Sequence, residues 1–237
     1  NRTGFLVNRC KITDIPSYKD GSWWVQDYSS FFPLNNIKEK MINKSNIDLC
    51  AAPGGKSFQI LSANNDIILN DINKYRLERL KDNLKRLKYN PKITNIDLMD
   101  FNENHKYDFI ILDAPCSAIG TIRKNPEILF RKNIPKINNL IKVQKDMLNK
   151  AAKLLNKDGV ILYMVCSFLE IETIDQIENF LIENKNYSLC EFSIKDKNLK
   201  YKRFIKNNFM LTLPERIKNC NIDGYFAAYL KKINEIH

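Results

Sequence analysis

Two short apolar runs in this chain stop at the same dipeptide. Residues 107–113 read as a buried strand ending at Asp113, followed by Ala114-Pro115-Cys116-Ser117; residues 160–165 read as a second buried strand that runs directly into Cys166-Ser167. A thiolate is a strong nucleophile, and its formation is helped by a nearby cation or a helix terminus. In open parallel α/β sheets ligands sit beyond the carboxyl ends of the strands, which puts Asp113, Cys116 and Cys166 on one candidate reaction floor. A third apolar strand, residues 47–49, runs through Cys50-Ala51-Ala52-Pro53 into Gly54-Gly55-Lys56 and a helix, a form suited to a nucleotide-like ligand.

The elements that must hold these groups are legible from periodicity. A second strand at residues 67–71 ends in Asp71, which lies 23 residues beyond Asp48. That is close to the spacing at which an acidic residue binds ribose hydroxyls in dinucleotide folds, and the alternative is an ordinary helix cap. The helix that follows, residues 74–89, puts Leu77, Leu80, Leu84 and Leu87 on one face and basic residues on the other. A third strand at 93–96 leads to Asp97, with Asp100 three residues on. The loop at 119–127 is polar and basic and leads to Arg131, Lys132 and Lys136; Arg123, close to Cys116, is its best candidate for holding a phosphate.

Residues 140–156 predict a helix with Val143, Met147, Ala151 and Leu154 inward, stopped at Asp158-Gly159. Ser167-Phe168-Leu169-Glu170 has the form of a capping box, predicting a helix directly afterwards with Ile171, Ile174, Ile177 and Leu181 on one face. Cys166 would then precede a helix N-terminus, whose dipole lowers a thiol pKa from about 8.5. Strands at 187–194 and 224–230 close the pattern, joined by a basic aromatic stretch at 195–206 that suits either single-stranded RNA or a solvated loop. Residues 1–34, with Trp23, Trp24, Phe31 and Phe32, show no clean period and read as a leading segment packed on a catalytic domain at 35–237.

Composition sets bounds. The 237 residues, 44% hydrophobic, suffice for one sizeable α/β core. No run reaches the length of a membrane span, and no signal peptide is visible. With six cysteines, no Cys-x-x-Cys pair and two histidines, no metal site is expected, and cysteines at strand ends suit a reducing, intracellular compartment. Thirty-eight Lys and Arg against 27 Asp and Glu give +11, which favours a polyanion such as RNA, although a Lys-, Asn- and Ile-rich bias throughout the chain produces the same charge without such a partner. The first residue is Asn, which leads us to expect an upstream RNA-binding region outside this sequence.

The strings Asp48-Leu49-Cys50-Ala51-Ala52-Pro53-Gly54-Gly55-Lys56, Asp113-Ala114-Pro115-Cys116-Ser117 with the following loop to Glu127, and Tyr163-Met164-Val165-Cys166-Ser167, in this order, resemble the RsmB/Sun family of RNA 5-methylcytosine methyltransferases over about residues 21–230. The resemblance implies a Rossmann-like class I fold, with a seven-stranded, mostly parallel sheet, helices on both faces and an antiparallel last strand. S-adenosylmethionine is the implied cofactor, held by Cys50, Ala51, Ala52, Pro53, Gly54, Gly55, Lys56, Asp71, Asp97 and Asp113, with Lys56 and Arg123 toward the substrate. It further implies that Cys166 attacks the base, Cys116 promotes release and Asp113 hydrogen-bonds the cytosine edge. Gln26, Asp27 and Ser29 match a part that lies near the cofactor. The expected partner is RNA, ribosomal before transfer RNA, with no obligate protein partner evident.

Two positions depart from the family pattern: Val165 stands where Thr is usual, and Ala118 where Gly is frequent. Two other readings compete. Gly54-Gly55-Lys56-Ser57 ends like a phosphate-binding P-loop, but Cys50 stands where that motif has its first glycine. A silent RNA-binding or ribosome-assembly module with this fold is the other, and the presence of both cysteines and Asp113 weighs against it.

Overall fold

The computed structural model describes residues 10–37, 44–130, 136–191, 203–217 and 220–233. The strands at β1 (Asn46–Asp48), β2 (Ile68–Asn70), β3 (Ile93–Thr94), β4 (Tyr107–Asp113) and β5 (Leu155–Val165) pair in parallel in the order β3-β2-β1-β4-β5. The last strand, β11 (Tyr225–Lys232), runs antiparallel to β5, with Phe226 opposite Val165, so its first residues lie at the edge where β4 and β5 end.

Among the described residues five α-helices cover the two faces: α1 (Tyr28–Ile37), α2 (Gly55–Leu61), α3 (Lys74–Leu87), α4 (Ile137–Lys153) and α5 (Ile174–Glu183). Alternation along the strands builds two cores. Phe109 and Ile111 of β4 pack with the leucines of α3 and with Phe32, Phe58 and Met164, while Ile110 and Leu112 pack with Leu148, Ala151, Ile177 and Phe180. A strand buried on both faces needs a continuous apolar run, which is what β4 has. The α3 leucines lie inward as the spacing predicts, each stabilising the fold by about 1.5–3 kcal/mol on burial.

Among the described residues the sheet has nine strands, not seven. The additions are β7 (Ile205–Lys206) and β8 (Phe209–Thr212), an antiparallel pair joined through Asn207 and Asn208, both at positive φ. Asparagine tolerates the left-handed region that a two-residue hairpin turn demands. So short a pair, set among Lys and Asn, carries too little apolar periodicity to read from sequence. β8 lines one half of β11's outer edge and β6 (Tyr187–Leu189) the other. A separate antiparallel pair, β9 (Glu215–Ile217) and β10 (Cys220–Ile222), stands off the main sheet.

Two helices differ from their sequence reading. In α4 Ala151 and, at its end, Leu154 are buried and Met147 packs on the core as the spacing predicts, but Val143 is exposed and Gln144, beside it, is buried, which apolar spacing does not count. No α-helix begins at Ser167. A single 3-10 turn at Glu170–Glu172 comes first, α5 starts at Ile174, and Ile171 is exposed. The leading segment packs on the core, since α1 buries Phe32 and Leu34 and Trp24 meets Phe58 edge-on. Among the described residues no helix is long and apolar enough to cross a membrane.

Candidate active site

The adjacent ends of β4 and β5 bring the two cysteines together. Asp113 lies opposite Met164, the Ala114 N–H donates to the Met164 carbonyl, and the Gly120 N–H donates to the Cys166 carbonyl, so both strand ends turn in register. Cys116 Sγ and Cys166 Sγ are 3.3 Å apart, close enough to share a proton. The hydrogen bond to Cys166, and then burial, push the Cys116 thiol far up. With the 3-10 turn in place of a helix start, the α-helix dipole expected behind Cys166 is not positioned there.

Behind the thiols lies a group that the sequence reading missed. Glu172 is fully buried, and four donors converge on its carboxylate: the Ser117 N–H at 2.8 Å, Ser117 Oγ at 2.5 Å, Ser167 Oγ at 2.6 Å and Gln144 Nε2 at 3.1 Å. Gln144 Nε2 also donates to the Pro115 carbonyl, and Tyr163 OH to the Glu172 carbonyl. The expected capping partner, Glu170, is exposed, and Ser167 Oγ instead accepts from the Leu169 N–H while donating to Glu172. No sequence signal sets it apart, since Glu170, Thr173 and Asp175 flank it.

Asp113 is held on both oxygens. Lys56 Nζ donates to Oδ2 and Tyr225 OH to Oδ1, each at 2.6 Å. Burial opposes the charge on Lys56, but the attraction and hydrogen bond of Asp113, with help from Asp48 and from a thiolate at Cys166, outweigh it and hold its pKa above the ordinary value. Burial and the negative charge of Asp113 and Cys166 push the Tyr225 hydroxyl well up, so it serves as a donor. Tyr225 is a second missed residue, and the antiparallel direction of β11 was the available clue.

The turn after β1 is built mainly from backbone. Gly54 has φ 113°, and a Cβ there would meet the Phe58 ring at 2.1 Å, so only glycine fits. Asp48 accepts from Ser57 Oγ at 2.6 Å and from the Cys50 N–H at 3.3 Å; burial pushes its pKa to about 7 against those bonds. Burial and the nearby carboxylates keep the Cys50 thiol protonated. Asp71 ends β2 beside this turn, accepting from the Ala52 N–H at 3.1 Å and the Asn73 N–H at 2.9 Å, with the Arg76 guanidinium 3.6 Å away. Asn73, not Asp71, caps α3. Asp97 caps the short turn Leu98–Asp100 through the Met99 N–H; it and Asp100 are exposed.

Arg123 is not left open toward a phosphate. It pairs with Asp223 at 2.9 Å and sits 3.8 Å from Asp27, while Lys124 bridges the same two carboxylates at 2.6 and 2.7 Å. This cluster ties the leading segment to the loop after β4 and the start of β11, and Ser29 Oγ adds a bond to the Asp223 carbonyl. Gln26 spans Ser30 and Gln59 beside Gly55. Arg131 and Lys132 lie outside the described residues, as does most of 195–206; Phe204 there is buried, not a free stacking surface, and Arg203 pairs with Glu215.

A family model described as 16S rRNA methyltransferase RsmB/F matches residues 36–231. A protein named ribosomal RNA small subunit methyltransferase B from Photorhabdus laumondii is 34% identical over 197 residues, covering 81% of this chain and 46% of that protein. One of the same name from Proteus mirabilis is 32% identical over 232 residues, covering 96% of this chain and 50% of its own length. The chain thus spans about half the length of the curated relatives it matches. Among solved structures, that of NSun6 from Pyrococcus horikoshii with SFG superposes with a TM-score of 0.78 at 27% identity, covering 96% of this chain and 57% of that one.

Proposed function

Because the chain belongs to the RsmB/F family of 16S rRNA methyltransferases, we propose that it methylates carbon 5 of a cytosine in RNA, with ribosomal RNA the expected substrate, through a covalent bond between Cys166 and the base. The observation that carries this reading is the pair of thiols 3.3 Å apart at adjacent strand ends, beside the Lys56–Asp113 ion pair. Carbon 5 of cytosine is a weak nucleophile until a group adds to carbon 6, and a thiolate is suited to that addition. Cys166 is assigned this attack, with Cys116, whose thiol the contact and burial push up, 3.3 Å away. Lys56 faces it with positive charge. After methylation a base must remove the carbon 5 proton as the carbon 6–sulfur bond breaks and the ring double bond re-forms; Cys116, 3.3 Å from Cys166, is placed to give the departing sulfur its proton and so promote release. Asp113, fixed by Lys56 and Tyr225, keeps lone pairs for the amino edge of the base and needs no reorganisation to use them. A base that reaches this floor must be unpaired or flipped from its helix.

S-adenosylmethionine, when bound, supplies the electrophilic methyl group. The residues fit it: each oxygen of Asp71 retains a second lone pair after accepting from Ala52 and Asn73, and Ile72 and Met99, just beyond the ends of β2 and β3, are exposed apolar groups suited to a purine face. Residues 50–56, Asp71 and Asp97 would hold it; a related structure contains SFG, an analogue of this cofactor. Transfer of labelled methyl to unmodified small-subunit ribosomal RNA, with bisulfite sequencing of the product, tests the assignment. A protected cytosine that appears only with the protein supports it; labelled cofactor bound but no methyl incorporated into any RNA would favour the silent module.

A further inference from the structure

We propose that Glu172 is a positioning residue that sets the distance between the two thiols. This rests on the thiol roles assigned above. Each cysteine is followed by a serine, and both serines give their hydroxyl protons to one oxygen of the same buried carboxylate: Ser117 Oγ at 2.5 Å and Ser167 Oγ at 2.6 Å from Glu172 Oε2. Glu172 Oε1 takes the Ser117 N–H and Gln144 Nε2, and Gln144 also holds the Pro115 carbonyl on the other side of Cys116. All four contacts are donated, a pattern that an acceptor-only carboxylate satisfies and a neutral amide does not. Ser167 and Gln144 are fully buried with Glu172, and Ser117 is half-buried.

The consequence is geometric. Cys116 and Cys166 sit on different strand ends, fifty residues apart in sequence, and the β4–β5 ladder stops short of them; among the described residues only the bonds from the Ala114 N–H to the Met164 carbonyl and from the Gly120 N–H to the Cys166 carbonyl join the two backbones beyond it. Beyond Asp113 and Val165 the carboxylate supplies a side-chain link between the two ends. One arm, through Ser167, reaches the nucleophile; the other, through Ser117, reaches the release group. A covalent mechanism that asks two thiols to act in turn on one ring needs both held at fixed separation, and errors of about 1 Å cost on the order of 100-fold in rate.

The two arms make the idea testable, because a merely structural carboxylate gives the same symptom whichever arm is cut. Ser167→Ala should slow formation of the protein–RNA adduct at least tenfold without letting adduct accumulate. Ser117→Ala should instead raise the steady-state adduct at least fivefold, as release lags behind addition. Glu172→Gln should lower kcat at least tenfold while the KM for S-adenosylmethionine stays within twofold. The assay follows adduct on denaturing gels with an unmodified small-subunit ribosomal RNA transcript, with Cys116→Ala alongside. If Cys116→Ala accumulates adduct but both serine variants behave alike, or if kcat and cofactor affinity fall together in Glu172→Gln, the positioning role is wrong and the thiol roles stand. If Cys116→Ala yields no adduct, the thiol assignment fails, and this inference with it.

Discussion

At the ends of β1 and β2 the backbone shapes the site, whereas at the ends of β4 and β5 side chains from distant segments do. The first region is local: a glycine at φ 113°, a carboxylate that caps the turn, and Asp71 bound to a neighbouring N–H. The second gathers Lys56 from α2, Gln144 from α4, Glu172 from the turn before α5 and Tyr225 from β11 around two cysteines. A cofactor used by many enzymes can be held by generic backbone geometry. A reaction that needs two thiols in sequence requires a purpose-built polar interior, and a buried polar network is costly unless every member is paired.

The largest expected effect lies in the second region. Asp113→Asn leaves Lys56 without its charged partner and removes an acceptor from the base, so single-turnover methyl incorporation should fall at least ~100-fold, in the range seen when one preorganised group is removed. Retention of more than a tenth of the parent rate would mean that Asp113 only anchors Lys56. In the first region Asp71→Ala should weaken S-adenosylmethionine binding by about 1–3 kcal/mol, measured by calorimetry. Unchanged affinity would reduce Asp71 to a brace for the Ala52 N–H.

A pH series probes the same region. Asp48 has a folded pKa of about 7 against about 3.9 unfolded, so the native state binds the extra proton, and the stability this contributes is fully present below about pH 4 and is lost as pH rises through 7. Asp48→Asn cannot ionise. Its stability relative to the parent should therefore improve by on the order of 2 kcal/mol between pH 5 and pH 8 in denaturant titrations, and a constant difference across that range would contradict the buried, proton-holding carboxyl.

The smallest effect concerns Ala118, which sits between the two sides of the reaction floor at φ 59°, in the left-handed region that glycine enters without strain. Ala118→Gly should stabilise the fold by about 1 kcal/mol. A loss of stability would show that the methyl group's packing outweighs the backbone strain.

This contrast also explains what the sequence disclosed. The glycine turn, the β4 strand, the leucine face of α3 and the two Cys-Ser ends are signals within one element, and each could be read from spacing. Glu172 and Gln144 could not, since a buried polar residue looks like a solvated one until its partners are known, and those partners lie 28 and 55 residues apart in the chain. On α4 Gln144 is buried in place of the expected Val143, and Glu172, not Glu170, takes the serine expected as a helix cap. Arg123 shows the converse. Its position invited a phosphate, but Asp27 and Asp223, far away in sequence, already lie against it.

The central claim is that the two thiols divide the reaction, and a denaturing gel of protein incubated with RNA and cofactor tests it most directly. Cys116→Ala should accumulate RNA-linked protein, because addition proceeds and release stalls, whereas Cys166→Ala and the double variant should show none. An adduct that persists in Cys166→Ala would contradict the account and give the nucleophile's part to another residue.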